Sequence, residues 1–150
     1  MAPTVFTIGH SSQPVEQLIA LLQRHGISQL ADVRSAPASR FAPQFNRPAL
    51  TDSLGQAGID YRWLGQALGG KPRAAAPVFA AGIADLLALA EIRPTAIMCA
   101  ERDPLHCHRT HLVTPALLKN GAAVIHILSD GGLLPHAALQ QPPKQQDLFG

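Results

Sequence analysis

Charge and aromaticity are both scarce in this chain. Charged residues make up 15% and aromatic residues 5%, with a single Trp and a single Tyr. Low charge beside an apolar fraction of 47% excludes the composition of a disordered chain, which carries much charge and has little to bury. Only two cysteines occur, Cys99 and Cys107. That is too few for a disulfide framework and predicts free thiols in a reducing cytoplasm, with a disulfide between them as the less favoured alternative. The N-terminus lacks a basic region followed by an apolar run, so no secretory signal is expected. No apolar run approaches the roughly 18 residues of a membrane span, and no membrane partner is expected. The net charge of +2 is too small to argue for nucleic acid by itself.

What is present is a regular alternation of short apolar runs and helical periodicity. Val5 to Ile8 predicts a first strand, closed by Gly9-His10-Ser11-Ser12. Pro14 then suits a first helical turn, with Val15, Leu18, Ile19 and Leu22 on one face and Gly26 as the stop. Leu30 to Val33 predicts a second strand, followed by a long polar loop through Arg47. Pro48 opens a helix that Gly58 ends, and Ile59 to Leu64 reads as an edge strand because of Arg62 and Trp63. Pro77 starts a helix with Val78, Ile83, Leu86 and Leu87 inward. Ala96 to Cys99 has the unbroken apolar character of a strand buried on both faces. Helical character returns near Cys107, where Pro115 must kink or restart the helix. Val124 to Leu128 is the last predicted strand. The alternation implies an α/β fold: a single open, mostly parallel sheet flanked by helices, over residues 1–134. Residues 135–150, rich in Gln and Pro, predict a flexible C-terminal tail.

In such a sheet, ligands gather at the carboxyl ends of the strands. Three predicted strand ends carry chemistry-bearing residues: Gly9-His10-Ser11, Asp32-Val33-Arg34 and Cys99-Ala100-Glu101. The densest stretch, MCAERDPLHCHRTH at 98–111, holds two thiols, three imidazoles, two arginines and two acids before a helix opens. A helix start attracts anions and lowers the pKa of a nearby thiol, which makes Cys107 a candidate nucleophile beside Arg109. Cys107 and His111 share a helical spacing, but no Cys-x-x-Cys or His-x-x-x-His pair supports a metal site, so no metal and no cofactor is expected. Neither cysteine has an arginine at the spacing of a protein phosphatase loop. A rhodanese-like arrangement is nearer, although the loop after Cys99 is long for a persulfide cradle. Six of the twelve basic residues, Arg34, Arg40, Arg47, Arg62, Lys71 and Arg73, lie in one segment interrupted only by Asp52 and Asp60. They form either a solvated face or a surface for phosphate.

TIGHS at 7–11, DVRSAPASR at 32–40, LGG at 68–70 and MCAERDPLHCHR at 98–109 resemble the family known as domain of unknown function 488. The resemblance runs from about residue 4 to 128 and implies an α/β fold in a cytoplasmic setting, without a settled reaction. Carried over by position, its motif residues are Gly9, His10, Ser11, Asp32, Arg34, Pro37, Ser39, Arg40, Cys99, Glu101, Cys107, His108 and Arg109. Arg34, Arg40 and Arg109, with Ser11, are the expected anion binders, since the guanidinium fork suits phosphate or carboxylate. Asp32 and Glu101 would orient those arginines or act as acid or base. His10 or His108 would move a proton near neutral pH.

The chain closes on QQDLF at 145–149, which resembles the peptide with which bacterial replication and repair proteins dock on the DNA sliding clamp. Gln145 would fix register, Asp147 would take the polar position, and Leu148 and Phe149 would fill an apolar groove. Burying each apolar anchor contributes about 1.5–3 kcal/mol before ordering losses, which suits a micromolar-class contact. Two readings follow. One is an accessory of DNA repair or replication, recruited to the clamp, whose pocket binds a nucleotide-like or nucleic-acid phosphate. The other is a rhodanese-like thiol enzyme acting on a small anionic substrate.

Overall fold

In β1 (Thr4–Gly9), Val5 packs toward one face of the sheet while Ile8 packs toward the other, and both are buried. A strand buried on both sides belongs in the middle of a sheet, and β1 lies there, parallel to β4 (Thr95–Cys99) on one side and β5 (Ala123–Ile127) on the other. The computed structural model describes residues 3–107 and 109–140. The full order is β3-β2-β4-β1-β5-β6, with β2 (Gln29–Asp32) between β4 and the edge strand β3 (Asp60–Trp63). All pairings are parallel except that of β6 (Leu133–Pro135) with β5. The expected fold, a mostly parallel open sheet flanked by helices, is the observed one.

Helices α1 (Val15–Arg24) and α2 (Arg47–Gln56) cover one face. Leu18 and Leu22 of α1 and Leu50 and Leu54 of α2 are fully buried against Ile8, Leu30, Ala96 and Met98. Each such burial contributes about 1.5–3 kcal/mol. Gly26 and Gly58, both at positive φ (69° and 76°), end these helices in the left-handed turn a side chain disfavours. Helices α3 (Gly65–Leu68), α4 (Ala76–Ile92) and α5 (Thr114–Lys119) cover the other face through Leu68, Ile83, Leu86 and Leu117. The split obeys handedness. Right-handed crossovers that step outward, from β1 to β2 to β3, place their helices on one face, and those that step back, from β3 to β4 to β5, place theirs on the other.

Two local expectations need correcting. Val78 is exposed, and Phe79 packs on the core instead, because the inward stripe 79-83-86-87 follows the helical period and leaves 78 about 100° away. Of the two outcomes expected at Pro115, the restart is the one observed, with α5 beginning at Thr114. A π turn over Arg109–Val113 precedes the helix, so the proline falls in its first turn, where its missing N–H costs little. Regular structure also continues past 134. Gly131 turns the chain at φ 91°, β6 pairs back on β5, and α6 (His136–Gln140) follows. His136 is buried and hydrogen-bonds His126 of β5 at 3.0 Å, tying this last element to the sheet. Among the described residues no helix is long and apolar enough to cross a membrane.

Candidate functional site

Connections leave β1 and β4 toward opposite faces, which opens a crevice above their carboxyl ends. A cleft of about 430 Å3 lies there. His10 after β1, Arg34 after β2, and Cys99, Glu101 and Cys107 after β4 all line it, so the three predicted strand ends do converge. Ser35, Ser39 and Lys71 complete the wall toward the β2 side.

The β2 wall is built around a carboxylate. Asp32 is fully buried and accepts from Arg34 Nε (2.9 Å), Arg34 Nη2 (2.7 Å), the Arg34 backbone N–H (3.1 Å) and the Tyr61 hydroxyl (2.6 Å). Arg34 Nη2 also donates to the Phe45 carbonyl at 2.7 Å. Its remaining terminal nitrogen, Nη1, lies 3.3 Å from His10 Nε2. Because a guanidinium only donates, that imidazole nitrogen must accept, and His10 Nδ1 carries the proton that it donates to the Ser11 carbonyl at 2.5 Å. Burial, opposed by the Ser11 bond and aided by the Arg34 charge, holds the His10 pKa below its ordinary value. His10 also stacks on Phe45 at 4.5 Å between ring centroids. Both ring nitrogens are therefore engaged, and His10 is a neutral partner of Arg34 before it is a proton carrier. Burial and the bond to Asp32 likewise push the Tyr61 phenol up. Asp32 thus holds the Arg34 side chain in place.

The floor of the cleft comes from the loop between β4 and the π turn. Cys99 and Cys107 are joined as a disulfide, contrary to the expectation of free thiols. Cys99 ends a buried strand, Cys107 accepts the first hydrogen bonds of the following helical stretch, and that stretch packs back on β4, so the intervening loop folds its two ends together. Cys107 Sγ lies 3.4 Å from the Arg109 N–H, and its carbonyl accepts from Thr110 N–H at 3.0 Å.

Arg109 lies beneath this loop, fully buried. Its Nη2 donates to the Arg102 carbonyl at 3.1 Å, while among the described residues Nε, Nη1 and the neighbouring Thr110 hydroxyl have no partner. Burial lowers its pKa to about 10, against the opposing pull of Glu101 and Asp103. The close packing depends on Gly9: a Cβ there would stand 1.8 Å from the Glu101 carbonyl oxygen and 2.8 Å from Arg109 Nη1. On its other side the same charge, after burial, helps drive the pKa of His126 down to about 4.

The predicted residues thus divide. His10, Asp32, Arg34, Glu101 and Cys107 assemble at or directly behind the cleft, and Arg109 lies under its floor. Arg40 is exposed and does not line the cleft. Ser11 sits in a tight turn at φ 52°, where its N–H donates to the Ala100 carbonyl and its hydroxyl accepts from Arg102 at 3.4 Å. His108, Gln145, Asp147, Leu148 and Phe149 lie outside the described residues. His111 turns to the Leu105 carbonyl at 2.5 Å, and among the described residues no group of three metal-ligating side chains occurs. Phe45, Tyr61 and Lys71 were not among the predicted site residues. The LGG motif was the available signal for Lys71, which follows it and bonds through its N–H to Ser35 Oγ at 2.9 Å. Phe45 carried no comparable mark within a polar loop.

The profile of the family described as "Domain of unknown function DUF488" matches residues 14–78 and 71–115. The chain belongs to this family. Three of the four motifs, DVRSAPASR, LGG and MCAERDPLHCHR, fall inside the matched DUF488 segments, whereas TIGHS precedes them. The DUF488 match therefore takes in two of the three strand ends that meet at the cleft. No curated protein and no solved structure matches the chain.

Proposed function

We propose that the cleft carries out thiol chemistry on a small anion, with Cys107 as nucleophile, in the manner of a sulfurtransferase. The observation that carries this reading is that both cysteines line the same cleft as Arg34. Asp32 balances the charge of Arg34, and the buried guanidinium of Arg109 beneath the cysteine loop adds positive charge that supports a thiolate and an anion in the cleft. Glu101, exposed at the rim, is the remaining candidate acid or base. In a Cys99→Ser chain, where Cys107 is the single thiol, treating the reduced protein with thiosulfate is expected to add one sulfur, about 32 Da, to Cys107 as a persulfide, read by intact mass and peptide mapping. Absence of the adduct, or its full survival in Cys107→Ser, would end this reading.

A second reading rests on the C-terminal peptide. In it the protein is an accessory of DNA replication or repair held on the sliding clamp by Gln145, Asp147, Leu148 and Phe149, and the cleft takes a nucleotide-like phosphate. The exposed cations Arg40, Lys71 and Arg73 favour it, since weak docking gains from a domain that also meets DNA. Titration of purified clamp with the full chain is expected to give micromolar-class binding that is lost in a chain ending at Gln141. Equal binding by both chains, or by neither, would remove the recruitment step.

A further inference from the structure

The two sulfurs of the cleft have unlike surroundings. Cys107 Sγ faces a donor, the Arg109 backbone N–H at 3.4 Å, at the start of a helical stretch. Cys99 Sγ faces an acceptor, the Glu101 carbonyl oxygen at 3.6 Å. In the reduced protein a donor favours the thiolate, and an acceptor favours the thiol that keeps its proton. The guanidinium of Arg109, buried beneath the same loop, adds a positive charge near the pair that favours ionisation. One sulfur is thus prepared to attack, and the other waits in contact with it.

We infer that Cys99 is a resolving cysteine, so that sulfur taken up by Cys107 is released as sulfide and the cleft reduces a sulfane-sulfur anion. This rests on the proposal that Cys107 is the nucleophile. In the first step the Cys107 thiolate attacks the outer sulfur of a substrate such as thiosulfate. The substrate's S–S bond breaks, sulfite leaves with the electron pair, and a Cys107 persulfide remains. In the second step the Cys99 sulfur attacks Cys107 Sγ and forms the disulfide. The persulfide bond breaks, and the outer sulfur departs as HS⁻ carrying the proton that Cys99 loses. Two thiols have supplied two electrons; the sulfane sulfur has become sulfide. An external dithiol reductant returns the pair to thiols for each turnover.

The test uses the full chain, reduced and freed of reductant, then given thiosulfate without air. The wild-type protein should release about one equivalent of sulfide and end as the Cys99–Cys107 disulfide, while Cys99→Ser should hold the persulfide on Cys107 and release sulfide about tenfold less. Cys99→Ala, with circular dichroism compared to wild type, repeats the measurement with a different side chain. If wild type and both Cys99 variants retain the persulfide alike, Cys99 does not resolve it, and transfer by Cys107 stands alone. If no folded form takes up sulfur, the nucleophile assignment fails as well.

Discussion

Replacing Asp32 with Ala is expected to destabilise the protein by about 3–5 kcal/mol, the range for stripping one partner from a buried ion pair. Asp32 has no exposed surface, and it holds three N–H groups of Arg34 and the Tyr61 hydroxyl. Arg34 is itself buried, and its other contacts are the Phe45 carbonyl and the neutral His10, neither of which carries compensating charge. With urea slopes of about 1–3 kcal/mol/M, the midpoint should fall by about 2 M with little change in slope. Asp32→Asn keeps an acceptor while losing the charge and should fall between wild type and Ala. A second readout separates local from global effects: the Tyr61 phenol, now pushed up by burial and by Asp32, should titrate closer to its ordinary value of 10.0 in either variant. A loss below about 1 kcal/mol, the scale of an exposed pair, would show that Asp32 is not what holds Arg34 in the cleft wall.

Stability should also fall as the solution becomes acidic, and His126 sets the window. Its ring is buried between Thr7 (2.6 Å) and His136 (3.0 Å), with the Arg109 charge nearby, and its pKa is lowered from 6.5 to about 4. The unfolded chain therefore binds a proton below 6.5 that the folded chain refuses until about 4. Stability is fully present above the unfolded value, declines as pH falls between the two, and levels below the folded one. The cost at the low end is about 3 kcal/mol for this one group. His10 and His136, both lowered chiefly by burial, act in the same direction. Denaturant midpoints across this range should flatten when His126→Gln removes the titration. A variant as acid-sensitive as wild type would assign the effect to other groups.

The elements that were legible in the sequence are those whose burial is two-sided or strictly periodic. β4 announced itself because all five of its residues are buried, and α1 because its apolar residues keep one face. The convergence of His10, Arg34 and Cys99 was legible too, since parallel topology alone brings strand ends to one edge. What stayed hidden depends on contacts between residues far apart in sequence. β6 is three residues long and exists through its pairing with β5 and the His126–His136 bond, neither of which has a local pattern. Phe45 is buried from within a polar loop because Arg34 needs its carbonyl and His10 its ring. The disulfide was passed over because cysteine count speaks to compartment, whereas the geometry of one loop decides whether two sulfurs meet.

The strand order has a consequence for synthesis on the ribosome. β1 and β2 are consecutive in the chain, yet the slot between them belongs to β4, some sixty residues further on. Until residues 95–99 emerge, the facing edges of β1 and β2 lack the strand that supplies their backbone hydrogen bonds. At elongation rates of about 5–20 residues per second, that gap persists for roughly 3–13 s after Arg34 is made. His10 and Arg34 are thus translated early but gain a shared floor only when the cysteine loop arrives. The two most central pairings of the sheet are thus among the later ones the chain can make as it is synthesised.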